Sequence, residues 1–161
     1  MIDISQIRDL TLRTLTKLGP KYASSDAIDL LIGTAIIESR FKYIKQLGDG
    51  PANGFWQIES DTALDNNTNW LRFRPKTLSS CVSATYVPLR YWAKGTKNEW
   101  NFLLRTNLAA GIVHARIKYY RVPHPIPKTL EGQAKYWKQW YNTELGAGDP
   151  EEYIDQVSKY L

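Results

Sequence analysis

Between Ala27 and Ser39 the chain is apolar on nearly every side of a helix. Ile28, Leu30, Leu31, Ile32, Ala35, Ile36 and Ile37 leave no continuous polar stripe. A helix that is apolar all round belongs inside a core, so this stretch is predicted to be a buried central helix, with Ser24, Ser25 and Asp26 as N-cap candidates. Upstream, Ile4, Ile7, Leu10, Leu12, Leu15 and Leu18 recur at helical spacing until Gly19-Pro20 stops them. Downstream the period changes. Residues 42–46 alternate as a strand does, 47–54 are dense in turn formers, and Phe55-Trp56-Gln57-Ile58 reads as a return strand. The expectation is a small β-hairpin directly after the apolar helix.

The polar stretch 60–80, with Asn66-Asn67-Thr68-Asn69, reads as loop and short helix. Residues 85–94 read as a helix ending at Gly95. Thr106 or Asn107 then caps a longer helix through Tyr120, with Leu108, Ile112, Ala115 and Tyr119 on one face. Pro123, Pro125 and Pro127 break it, residues 129–141 form another helix, and Gly146-Ala147-Gly148 is a turn. Asp149-Pro150-Glu151-Glu152 is a strong helix start, with an N-cap Asp and Pro at the first helical position, and that helix runs to about Lys159. The pattern is a mostly α (α+β) fold. With no repeat, linker or low-complexity tract, 1–161 reads as a single domain.

Composition narrows the partners. A chain of 161 residues is long enough to bury a sizeable core. Six Trp and ten Tyr supply rigid amphipathic faces, suited to stacking on sugars or to filling a helical core. The formal net charge of +5 is compatible with an acidic polymer. Because Lys and Arg are spread rather than clustered, nucleic-acid binding is not expected. The lone Cys81 excludes an internal disulfide. His114, His124 and Cys81 have no partner at ligand spacing, so no metal and no cofactor is expected. The start of the chain lacks the charged and apolar regions of a signal peptide, and no run reaches membrane-spanning length. The reading is a chain made in the cytoplasm, without membrane insertion.

The candidate chemistry lies at the end of the apolar helix. Glu38 sits there in Glu38-Ser39-Arg40-Phe41. Desolvation and the negative end of the helix dipole both favour its protonated form, which suits a group that must hold a proton before donating it. The turn-rich segment with Gly54 and Gln57 follows, positioned to fold over it.

These residues resemble the lytic transglycosylase and goose-type lysozyme superfamily, whose pattern is Glu-Ser-x-Phe, then Gly-x-x-Gln, then a later Tyr-Asn. Glu38, Ser39 and Phe41 match the first element. Gly54 and Gln57 match the second, with Trp56 where Met is common. Tyr141-Asn142, followed by Gly146-Ala147-Gly148 at a longer spacing than usual, matches the third. Ala109-Ala110-Gly111 is similar to the small-residue helix that packs behind the site, and the match covers roughly residues 27–148. The resemblance implies a lysozyme-like fold and cleavage of the β-1,4 bond between N-acetylmuramic acid and N-acetylglucosamine in peptidoglycan. Glu38 would be the single catalytic acid. Ser39, Gly54, Trp56, Gln57, Tyr141 and Asn142 would contact the glycan strand, the glycine by letting backbone approach the sugar. The short Gly48–Ala52 segment resembles transglycosylase-like proteins of tailed bacteriophages, implying a virion component that acts at the cell wall, with other virion proteins as partners.

Two enzyme readings stay open. A transglycosylase needs Glu38 alone, since the substrate's own C6 hydroxyl is the nucleophile. A hydrolase needs a second group to position water, for which Asp49, Glu59 and Asp61 are available, Asp49 first because of its place in the turn. A third reading, of another class, is a non-catalytic virion or wall-binding module.

Overall fold

In the computed structural model, residues 2–143 and 146–161 are described; Met1, part of the N-terminal segment read above, lies outside them. The fold is mostly helical, with one small antiparallel hairpin. Helix α1 spans Ile4–Leu18 and is capped by the Asp3 side chain. Helix α2 spans Ser25–Ser39, capped by Ser24. As its apolar circumference requires, α2 is covered on all sides, packing against α1, α7 (Leu108–Tyr120), α8 (Leu130–Trp137) and α9 (Pro150–Val157). Helix α7 is nearly as buried, from Ala110 through Ile117. One contiguous apolar core runs from Ile7 to Val157. No described helix is long and apolar enough to cross a membrane.

The hairpin is shorter than expected and lies later in the chain. Strand β1 is Ala52–Asn53 and β2 is Ile58–Glu59, paired Ala52 with Glu59 and Asn53 with Ile58. The expected strand at 42–46 is reduced to a single bridge between Lys45 and Asn53. Arg40 and Phe41 leave α2 in the left-handed region, and residues 42–45 are all exposed, so there is no buried face for a strand to cover. The expected return strand is mostly turn, with only Ile58 in β2. Positive φ at Gly54 and Gln57 closes Gly54–Gln57 into a tight reversal that drives Phe55 and Trp56 into the core. Buried Asn53 ties the hairpin to the following helices. It accepts from Arg105 Nε at 2.6 Å and donates to Asn101 Oδ1 at 2.9 Å.

Three further expectations are corrected. The polar stretch 60–80 is mainly helical, α3 (Ser60–Asn69) and α4 (Pro75–Thr85). The asparagines do not prevent this because they serve the interior: Asn66 donates to the carbonyl and approaches the ring of buried His114. The single helix expected over 85–94 is split, because Tyr86 is left-handed and Pro88 cannot continue a helix, so α5 is only Leu89–Lys94. Helix α6 (Lys97–Thr106) escapes the apolar pattern but carries a capping box between Thr96 and Glu99. The helix expected over 129–141 begins as read, capped by Thr129, and ends in a π-helical turn, Lys138–Asn142.

Gly54 has two reasons to be glycine. Its φ is 74°, and a Cβ there would lie 2.5 Å from the Leu104 carbonyl oxygen. Gly54→Ala is expected to cost about 1–3 kcal/mol, read as a lower thermal midpoint.

Candidate active site

Glu38 lies in the last turn of α2, half-buried. Its Oε1 accepts a hydrogen bond from the buried indole of Trp137 at 3.0 Å, which fixes the carboxyl's orientation. Among the described residues nothing bonds the second oxygen. Burial raises the carboxyl's pKa above the ordinary glutamate range, while the Trp137 hydrogen bond and then the charge of Lys118 pull less strongly the other way. The group is thus biased toward its neutral form, with an indole and a cation in place to accept the anion once the proton has left.

The carboxyl opens into a cavity of about 460 Å³. Three segments far apart in the chain converge on it: Glu38 from α2, Gln57 from the hairpin turn, and Tyr141-Asn142 from the turn after α8. Gln57 is half-buried, its amide nitrogen held by the Gly54 carbonyl at 2.9 Å. The Tyr141 hydroxyl donates to the Trp56 carbonyl, so it anchors the π-turn to the hairpin and does not bond Glu38. Asn142 Oδ1 accepts from Lys138 Nζ at 3.0 Å and from the Gly148 backbone, and Lys138 also donates to the Gly146 carbonyl at 2.7 Å. This clasp holds Gly146 at the cavity wall.

Three residues expected to contact substrate are placed elsewhere. Trp56 is 1% exposed, with its indole donating to the Leu31 carbonyl of α2 at 2.9 Å and its ring against Gly111 of α7. It is a core wedge rather than a sugar platform. Ser39 is buried, and its hydroxyl donates to the Ala35 carbonyl and accepts from the Phe41 amide, so it finishes the helix. Gly54 does not line the cavity, and the backbone it lets approach is that of Leu104.

Of the spare carboxylates, Asp49 is wrong. Its side chain is fully exposed, 4.0 Å from Lys45, and outside the cavity. Asp61 is likewise turned outward to Lys97 at 2.6 Å. Glu59 of β2 does line the cavity.

Two further residues shape the site. Trp137 carries no local sign of its role, because its partner is 99 residues away. Lys118 was visible as the only cation besides Arg116 in the apolar run of α7. Its Nζ donates to the Tyr141 carbonyl at 3.1 Å and lies 4.0 Å over that ring. Burial lowers its pKa, against the opposing charges of Glu38 and Glu59. Among the described residues no group of three or more His, Cys, Asp or Glu could hold a metal ion.

The chain matches no protein-family model, no curated protein and no solved structure.

The raised pKa of Glu38 has a measurable sign. A folded-state pKa above the unfolded value, roughly 4.3 for glutamate, contributes stability that is fully present below that value and is lost as pH rises through the folded pKa. Glutamine mimics the neutral form without that loss. Glu38→Gln is therefore expected to be about as stable as the wild type at pH 4 and more stable at pH 7. Denaturant midpoints at both pH values measure this, and a variant less stable at pH 7 than at pH 4, relative to wild type, contradicts it.

Proposed function

We propose that the protein cleaves peptidoglycan glycan strands between N-acetylmuramic acid and N-acetylglucosamine, as a lytic transglycosylase. The observation that carries this reading is the convergence of Glu38, Gln57 and Tyr141-Asn142 on one cavity. These are the catalytic acid and two of the elements that the resemblance assigns to the cleft.

The chemistry follows from the surroundings of Glu38. Biased toward its neutral form by burial, it donates its proton to the bridging oxygen as the glycosidic bond breaks. The anion left behind is stabilised by the Trp137 indole and by Lys118. It then takes the proton of the sugar's own C6 hydroxyl as that oxygen closes onto C1, giving a 1,6-anhydro end, returning Glu38 to its acid form and consuming no water. Gln57 and Asn142 offer amides to the sugar substituents. Action as part of a phage particle at the wall rests on the resemblance of the 48–52 segment alone.

Glu59 favours a second reading. It is a carboxylate lining the same cavity, and a hydrolase needs such a group to position water. Asp49 and Asp61, turned outward, have no claim to that role.

A zymogram and product analysis separate the possibilities. Glu38→Gln is expected to lose activity by about 10²–10⁴-fold, and retention of wild-type clearing by this variant ends the catalytic reading. A preparation inactive in the wild type as well favours the non-catalytic module. Digestion in heavy-oxygen water is expected to yield anhydro ends without label, with Glu59→Gln close to wild type. Labelled reducing ends together with an inactive Glu59→Gln make the protein a hydrolase.

A further inference from the structure

On the far side of Tyr119 from the cleft, a second cavity of about 330 Å³ opens between the start of α2, the end of α7, residues 122–126 and α8. Tyr119 separates the two: its ring stacks on Tyr141 at 5.0 Å on one side and lines this cavity on the other. The wall holds a cation that, among the described residues, forms no ion pair. Arg116 is 4% exposed, and its Nε donates to the Tyr22 carbonyl at 2.8 Å. Its Nη1 is shielded from solvent and has no hydrogen-bond partner. Among the described residues no carboxylate lies within 4.0 Å of the guanidinium. Buried guanidinium groups are ordinarily paired, because arginine stays charged and leaving the charge uncompensated is costly.

The surroundings define what would complete it. Tyr119, Tyr120, Tyr136, Val122 and Ile126 supply aromatic and aliphatic wall, with the Tyr120 ring 5.2 Å from the guanidinium carbon. The Tyr136 hydroxyl is already committed to the His124 carbonyl at 2.9 Å. Asp26 also lines the cavity, and its charge disfavours a dianion such as phosphate, for which a single cation is in any case a poor match. A monoanion, whose single charge one guanidinium can balance, fits better.

We propose that this cavity binds a carboxylate carried on a small apolar body, the carboxylate pairing with Arg116 and the body lying against Tyr119, Tyr120 and Tyr136. A free small acid and the C-terminal carboxylate of a short peptide share this chemistry. The site is independent of whether the cleft cuts glycans.

Titration of the full chain, followed by amide and side-chain NMR shifts, tests this with two acids and their neutral counterparts: phenylacetate against phenylacetamide, and acetyl-alanyl-alanine against its C-terminal amide. At least one acid is expected to give saturable shifts at Arg116, Tyr119 and Tyr120 and to bind about tenfold or more tightly than its amide. Which acid does so identifies the source. Arg116→Gln is expected to remove that preference. Asp26→Asn, which deletes a like charge from a half-buried position, is expected to tighten acid binding about threefold. Equal binding of acid and amide in both pairs overturns the proposal, as does an acid preference that survives in folded Arg116→Gln. Should Arg116→Gln not fold, Asp26→Asn decides: unchanged acid affinity overturns the proposal, and tightening upholds it.

Discussion

The structure is built around a helix that must be covered everywhere and that carries an ionisable carboxyl at its end. Helix α2 has no polar face to leave in water, so α1, α7, α8 and α9 close around it. Only its last turn meets the cavity. Glu38 is therefore neither solvated as a surface glutamate nor paired as a buried one. Burial raises its pKa, and the single neutral donor from Trp137 with a cation nearby does not cancel the effect. A position optimised for stability alone would carry an apolar residue or an amide there. The cost of the carboxylate at this position is what the proposed acid role would draw on.

The cavity walls are set by the same packing. Trp56 drives the hairpin turn into the groove between α2 and α7, where Gly111 leaves room for its ring. The Trp56 carbonyl receives the Tyr141 hydroxyl and fixes the turn after α8. Lys118 then reaches the Tyr141 carbonyl from α7. One buried indole thus positions the hairpin directly and the π-turn indirectly, and Gln57, Tyr141 and Asn142 reach the cavity by that route. Residues that never touch the cavity carry much of its geometry.

Much of this was legible in the sequence where a physical signal is local. The apolar run 27–39 and the caps at Ser24 and Asp149 stand in the structure. Glu38, Gln57, Tyr141 and Asn142 do meet at one cavity. What spacing could not supply is side-chain direction. Ser39 and Trp56 sit beside cavity residues in the chain and point into the core, and Asp49 sits in the turn-rich segment and points into water. Glu59 was the better carboxylate because it follows buried Ile58 in a strand, where successive side chains alternate. The helices α3 and α6 were obscured because their buried positions include Asn66, Asn67 and a sparse apolar set. Trp137 and Lys118 act across helices remote in the chain, and no local pattern announces such contacts.

The central claim is that the fold holds Glu38 protonated beyond the ordinary glutamate range while keeping a cation ready for its anion. The carboxyl carbon chemical shift of Glu38, followed by NMR through a pH titration in the wild type and in Lys118→Met, tests it most directly. The account predicts a Glu38 midpoint above that of an unstructured glutamate, roughly 4.3, and a midpoint higher still in Lys118→Met, where the favourable charge is gone. A wild-type midpoint at or below the unstructured value, or one unmoved by loss of Lys118 in a folded variant, would contradict it.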